Sequence, residues 1–297
     1  MKSEPLRTLR DNLAYLEQNR YSVDVRLTDA EYNREVHPME LEKLAAELKG
    51  RKISAFCHLP HHGLHLSCPD PRVMEYSREV IQEGLEIGTI LGCRVAVLYS
   101  GFSNHVRPAH IPEWRERLVG SLRELVTQAE EEEIILALEN AYDPDATVLR
   151  EVVDEIASPW LRFSADLGRA ACFSRMAPEE WIHAFKERII MISCHDNEGM
   201  EDDHLACGRG VVGYDQVFMA LQEADLSCVV NLDVAQEDLE ESIAHLESVG
   251  FIFERGEIPE SELFVDDAPA ASAMPVSGSA PAPSGPADEG SSGGIAT

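Results

Sequence analysis

Basic residues are scarce in this 297-residue chain: 25 Lys and Arg stand against 54 Asp and Glu, a formal charge of -29. A surface of that sign repels phosphate backbones and anionic lipid, so no nucleic-acid partner and no membrane association are expected. Long apolar runs are missing as well. Lys2, Glu4, Arg7, Arg10 and Asp11 interrupt any signal-peptide core, and no later stretch approaches the ~18 apolar residues of a membrane span. The expected location is therefore cytoplasmic. Cys57, Cys68, Cys93, Cys172, Cys194, Cys207 and Cys228 form no CxxC pair and are odd in number. That argues against a disulfide framework and a thiolate zinc knuckle, and leaves reduced thiols, mostly in a core. The glycines and arginine of Gly208-Arg209-Gly210 do not amount to a dinucleotide or P-loop fingerprint.

What is present, 44% apolar and 27% charged residues, is the composition of a globular chain. From Ala268 to Thr297, 24 of 30 residues are Ala, Pro, Ser or Gly. No periodic apolar pattern there offsets the entropy of ordering, so residues 256–297 are predicted to be an acidic and then low-complexity disordered tail. Residues 1–255 form the expected domain. Within it, apolar residues recur at helical spacing: Leu6, Leu9, Leu13 and Leu16; Leu41, Leu44 and Leu48; Leu118, Leu122, Leu125 and Ala129; Leu239, Ile243 and Leu246. Between them lie seven strand-like runs, at 21–27, 53–58, 94–100, 134–140, 161–166, 189–195 and 228–234. Most are apolar on both faces, which predicts an α/β chain of repeated βα units and a parallel sheet, closed as a (β/α)8 TIM barrel or doubly wound. A barrel needs eight strands, and this chain opens on a helical pattern. The first strand is thus expected to be missing or replaced, with residues 251–254 as the candidate filler. An unfilled gap would leave an edge that a homodimer could cover.

Four of the strands close on a polar residue: Glu139, Asp166, His195 and Asp233. In a parallel barrel these ends share the face where active sites are built, so positions 27, 29 and 38 residues apart converge on one mouth. Taken singly, Asp166 is explained by a pair with Arg169, and Asp233 by a cap on the helix near Glu237. Neither alternative accounts for Glu139 and His195. Three carboxylates and an imidazole repel or lose hydration unless a cation joins them. One divalent metal ion suits that donor set: Mn, Mg, Co, Zn or Fe.

These residues resemble the xylose isomerase-like TIM barrels, which include sugar and sugar-phosphate isomerases and epimerases, tagatose 3-epimerase-like enzymes and endonuclease IV. The resemblance spans about residues 6–250. It rests on His58-Leu59-Pro60 with Leu66-Ser67-Cys68-Pro69-Asp70, on Leu138-Glu139-Asn140, on Asp166-Leu167-Gly168, on His195-Asp196-Asn197, and on Asp202-Asp203-His204-Leu205-Ala206-Cys207-Gly208-Arg209-Gly210. By it, Glu139, Asp166, His195 and Asp233 fall on the family's shared metal ligands, with Asp233 one methylene shorter than the usual Glu. The resemblance implies an isomerase or epimerase in which the metal holds the carbonyl and adjacent hydroxyl of a small sugar, sugar phosphate or related compound and stabilises an enediolate. Glu139 and Asp233 would be its bases. If Asp233 only ligates metal, a one-base isomerisation or a hydride shift takes its place.

Endonuclease IV carries three zinc ions, and two of the extra ligands are replaced here: the chain reads Leu98-Tyr99-Ser100-Gly101 at one position and has Arg169 at another. His58, Asp202 and His204 match. The nuclease reading is disfavoured on both ligands and charge, and a barrel that binds ligand without turnover is the other alternative. His58, Arg169, His204 and Arg209 are expected to contact substrate, the two arginines as anion holders. Asp196 and Asn197 are expected to orient the ligands by hydrogen bonds. His61, His62 and His65 read as a loop near the mouth. Glu130 to Glu133 reads as a solvated face. If the tail reading is right, removing every residue after Asp267 leaves the melting temperature and any turnover unchanged; a shift of more than about 2 °C, on the order of 0.5 kcal/mol for a chain this size, contradicts it.

Overall fold

Eight parallel strands close on one another in chain order: β1 (Lys2–Pro5), β2 (Val23–Arg26), β3 (Ala55–His58), β4 (Val95–Tyr99), β5 (Ile135–Glu139), β6 (Leu161–Asp166), β7 (Ile189–Cys194) and β8 (Val229–Leu232). This computed structural model describes residues 1–103 and 105–258, so the tail expected beyond residue 258 lies outside the described residues. The helices are α1 (Leu9–Asn19), α2 (Ala30–Glu35), α3 (Pro38–Gly50), α4 (Pro71–Leu91), α5 (Ile111–Glu131), α6 (Thr147–Ile156), α7 (Leu167–Phe173), α8 (Pro178–Phe185), α9 (Tyr214–Glu223) and α10 (Leu239–Ser248). A TIM barrel is therefore the fold. Among the described residues no helix is long and apolar enough to cross a membrane, and all seven cysteines are free.

Helix signals in the chain explain where the elements start and stop. Pro stands in the first turn of α3, α4, α5 and α8, where its missing N–H costs nothing. Asp70 caps α4 by accepting from Arg72 N at 3.0 Å, and Gly92 ends it in the left-handed region at φ 76°. The leucines at helical spacing are buried between helices and sheet, in one continuous core. Near β6 that core contains a stack: the Phe163 ring lies 3.5 Å from that of Phe185 and 5.9 Å from that of Trp181, nearly parallel to both.

Inside the barrel a second cluster, Phe56, Val95, Val97, Ile135, Ala137, Ile190 and Met191, fills the lower layers, with Ile258 packed against it. Above it the inward positions turn polar. Ser3 Oγ donates to Asp24 Oδ2 at 2.8 Å, and Asn231 Nδ2 reaches the same oxygen at 3.4 Å. The apolar layers thus form a floor, and the strand ends above them a polar mouth.

Two expectations need correction. The first strand is neither missing nor replaced: β1 pairs with β2 from Lys2↔Val23 to Pro5↔Arg26 and with β8 at Lys2↔Leu232. Its sequence, Lys-Ser-Glu-Pro, carries no apolar run because Ser3 faces the polar interior. Lys2 and Glu4 are buried and ion-paired to each other, and Glu4 also accepts from Asn12 of α1 at 2.7 Å. Residues 251–254 form no strand. Phe251 instead packs on Phe218, ring centroids 5.5 Å apart, and the chain continues under the barrel, where Ile258 N donates to Ser54 Oγ at 2.9 Å. Closure also removes the exposed edge on which dimerisation was expected. Trp181→Ala is expected to cost about 3–5 kcal/mol of unfolding free energy in chemical denaturation, since its fully buried ring would leave a cavity in the aromatic stack; a loss under about 1 kcal/mol contradicts that packing.

Candidate active site

The strand ends bring Glu139, Asp166, His195 and Asp233 to one mouth, joined through cations that lie between them. Glu139 closes β5 and is fully buried; its Oε1 accepts from Ser164 Oγ at 2.6 Å and Ser193 Oγ at 3.1 Å. His58 Nε2 approaches its other oxygen at 3.4 Å, while His58 Nδ1 is hydrogen-bonded to Asp24 Oδ1 at 2.8 Å. Burial alone would lower the pKa of His58, but the Asp24 carboxylate overrides it and raises it to about 9. Asp24 responds in the opposite sense: burial would raise its pKa, and His58 with Arg26 brings it down to about 2.

On the other side, Asp166 ends β6 and caps α7, accepting from Arg169 N at 2.8 Å and facing His195 Nε2 at 3.0 Å. Asn140 clamps the Asp166 backbone on both sides, each bond 2.9 Å. Burial opposes ionisation of Asp166, and the His195 and Arg169 charges outweigh it, leaving its pKa below the ordinary value. The His195 ring is wholly buried and stacks on that of His204, centroids 4.0 Å apart and 17° from parallel. Gly168 is required for this approach, because any Cβ there would overlap the His195 ring. His204, at φ 51°, is hydrogen-bonded through Nδ1 to the Asp233 carbonyl at 2.8 Å and lies 3.3 Å from Asp233 Oδ2. Despite burial, its pKa rises to about 9 beside Asp202 and Asp233. Asp233 also ion-pairs with Arg26 from the end of β2, and Arg26 Nε stands 3.5 Å from Asp24 Oδ2. Its own pKa is lowered, because Arg26 and His204 outweigh burial.

Of the four expected metal ligands, only His195 belongs to the tightest group of donor atoms among the described residues. That group is His195, Asp202 and His204, whose donor atoms all lie within 4.8 Å of one another. His195 Nδ1 and Asp202 Oδ1 are 3.6 Å apart, and both are buried without a hydrogen-bond partner. Such orphaned atoms are costly unless something polar or cationic meets them, and imidazole with carboxylate is a donor set that suits a divalent transition ion. The residues present therefore fit a metal.

The remaining expectations divide. Arg169 joins the mouth: its Nε donates to Asp202 Oδ2 at 2.9 Å, and its guanidinium covers the Tyr99 ring 4.4 Å from the centroid. Arg209 stands apart, exposed and tied to α10 through Glu241 at 2.8 Å and Asp238 at 3.1 Å, so its anion-holding donors are already engaged. Asp196 pins the following loop, accepting from Gly208 N at 2.9 Å and Val212 N at 3.0 Å. Asn197 donates to the Gly168 carbonyl at 2.8 Å, in the turn that carries Asp166 toward His195. Both therefore shape backbone rather than bond to the expected ligands. Among the histidines of the 61–65 loop, His61 reaches the mouth and packs edge-on against Tyr99 at 4.5 Å; burial lowers its pKa to about 3 and keeps it neutral. Sequence reasoning missed Asp24 and Arg26. The available signal was the alternation Val23-Asp24-Val25-Arg26, which places two charges on one face of a strand.

Comparison with known proteins follows the same lines. The profile of the xylose isomerase-like TIM barrel family matches residues 21–249, and the chain belongs to that family. Uncharacterized protein MJ1311 of Methanocaldococcus jannaschii is 26% identical over 203 residues, covering 64% of this chain and 68% of that protein. Among solved structures, the TTHB071 protein of Thermus thermophilus, soaked with zinc chloride, is 28% identical with a TM-score of 0.72, covering 84% of this chain and 96% of that one. A D-tagatose 3-epimerase-like protein has the same TM-score and coverage at 21% identity, a likeness of fold.

The His58–Asp24 pair sets a pH dependence in the metal-free protein. His58, raised from 6.5 to about 9, contributes stability that is complete below pH 6.5 and is lost as pH rises through 9. Asp24, lowered from 3.8 to about 2, contributes stability that is present above pH 3.8 and is lost as pH falls through 2. The melting temperature of chelated protein is thus expected to decline from pH 6.5 to 9, and Asp24→Asn to flatten that decline. An identical slope in the variant contradicts the pairing.

Proposed function

We propose that this protein is a divalent-metal-dependent isomerase or epimerase of a small sugar, sugar phosphate or related hydroxy-carbonyl compound. The observation that carries the reading is the convergence of Glu139, Asp166, His195 and Asp233 on one mouth beside the unpartnered, buried His195 Nδ1 and Asp202 Oδ1. Membership of a family with sugar epimerases among its structural neighbours supports it.

Glu139, Asp166, His195 and Asp233 would hold the ion, with Asp202 and His204 beside them. When bound, the ion supplies Lewis-acid stabilisation of the negative charge that develops on the substrate oxygens as the α proton leaves. Glu139 is the base in this reading. Its Oε1 is fixed by Ser164 and Ser193, and its Oε2 faces the His58 ring at 3.4 Å, so the carboxylate is aimed rather than free to rotate. Asp233 is a holding group rather than a second base, because the Arg26 ion pair stabilises its charged form and makes it a poor proton acceptor. A one-base isomerisation fits that asymmetry better than proton exchange between two matched carboxylates. His58 and His204 would place substrate hydroxyls, and the Arg169 guanidinium would hold a carboxylate or phosphate if the substrate carries one.

Elemental mass spectrometry of protein purified without chelator and reconstituted with Mn or Zn tests the site. About one ion per chain is expected, falling by on the order of tenfold or more in Asp166→Ala. Unchanged metal in the variant refutes the ligand set, two or three zinc ions per chain revive the phosphodiesterase reading, and no metal in the wild type points to a barrel that binds without turnover.

A further inference from the structure

Tyr99 closes β4, and neighbouring side chains pack around its ring. Tyr99 and Glu139 are register partners on β4 and β5, so both side chains leave the sheet on the same face, toward the mouth. In the closed order β4 lies four strands from β8, which puts Tyr99 across the mouth from Asp233. The ring is held on several sides: Arg169 covers it at 4.4 Å, His61 packs edge-on at 4.5 Å, and the His58 ring is 6.1 Å away. Its hydroxyl, in contrast, hydrogen-bonds to no described residue, and neither do the terminal nitrogens of Arg169 next to it, whose Nε alone is engaged by Asp202 and Asp166. Tyr99 is only half-buried and its hydroxyl is not among the buried orphaned atoms of the described residues, so the clamped ring presents an open phenol to the mouth, free to meet water or a ligand. Burial and the Glu139 charge keep it protonated, so what it offers is a donor.

We propose that Tyr99 is a catalytic residue, a neutral hydrogen-bond donor to a substrate oxygen on the side of the mouth away from Asp233. The role rests on the isomerase or epimerase reading. Carboxylates dominate this mouth and can only accept hydrogen bonds when ionised, whereas hydroxyl and carbonyl oxygens of a hydroxy-carbonyl substrate need donors as well. Tyr99 and the free end of Arg169 supply them side by side. A donor preset by packing loses little entropy on binding and gains strength as charge builds on the oxygen it meets.

The test is Tyr99→Phe, which removes the hydroxyl and keeps the ring under Arg169. Metal-dependent exchange of substrate protons with solvent deuterium, and calorimetric binding, would be measured on wild type and variant with D-tagatose, D-allulose, D-fructose and D-fructose 6-phosphate. The variant is expected to keep its metal content and its melting temperature within about 2 °C. Its kcat/KM should fall by roughly 10- to 100-fold, mostly in kcat, and its affinity by roughly 5- to 10-fold. Kinetics and affinity equal to wild type overturn the role of Tyr99, and so does a loss of metal or of fold, which would make the hydroxyl structural. Wild type that binds but never exchanges overturns the isomerase reading, and the affinity ratio then still decides for or against Tyr99. Wild type that neither binds nor exchanges any of the four overturns both.

Discussion

Gathering Asp24, Glu139, Asp166, Asp202 and Asp233 at one buried mouth is the demand around which the rest of this structure is arranged. Carboxylates that close together, out of bulk water, repel one another and lose hydration. Arg26 sits between Asp24 and Asp233, Arg169 between Asp166 and Asp202, His58 between Asp24 and Glu139, and His204 between Asp202 and Asp233. Every cation is shared by two anions. The arrangement holds the charged side chains in fixed positions and leaves one weak point, at His195 Nδ1 and Asp202 Oδ1, where compensation is incomplete. A site of this kind is organised before any ligand arrives.

The barrel provides for it by dividing its interior into layers. Phe56, Val95, Ile135 and Met191 seal the floor without polar groups, so the inward positions above them can be Ser, Asn and Asp without breaking the core. Ser164 and Ser193 belong to that polar layer and donate to Glu139, while Ser3 and Asn231 donate to Asp24. The hydrophobic work of folding is done elsewhere, between the outer face of the sheet and the helices. This division is what lets strands that bury both faces still present charge at one end.

The same division decides what the sequence reveals. Seven strands were legible because their outward faces are apolar and most inward positions are too. The eighth, Lys2–Pro5, was not, since Ser3 faces the polar layer and Lys2 and Glu4 neutralise each other beneath α1. Hydrophobicity cannot signal a strand whose two faces are both satisfied by polar pairs. In the site, Glu139, Asp166, His195 and Asp233 were visible as polar ends of apolar runs, Arg169 as a cation three residues after Asp166, and His204 through the family motif. Asp24 and Arg26 were hidden because their function depends on partners more than 30 residues away: His58, 34 residues from Asp24, and Asp233 at the far end of the domain. The group His195, Asp202 and His204 depends on how one loop folds back, through the Asp196↔Leu205 bridge, which spacing alone does not set.

The seam between β1 and β8 bears on how the chain reaches its native state. Met1 donates its amino group to the Val230 carbonyl across 229 positions, and Leu232 N returns a bond to the Met1 carbonyl. All the other strand pairs join consecutive βα units, whose ends meet over short stretches of chain. This one must await nearly the whole domain, and its loop-closure entropy is the largest in the fold. Because Ser3, Asp24 and Asn231 meet only once that seam is shut, the polar layer beneath the mouth is assembled late, and a ribosome-bound chain lacking β8 has open hydrogen-bonding edges on β1 and β7.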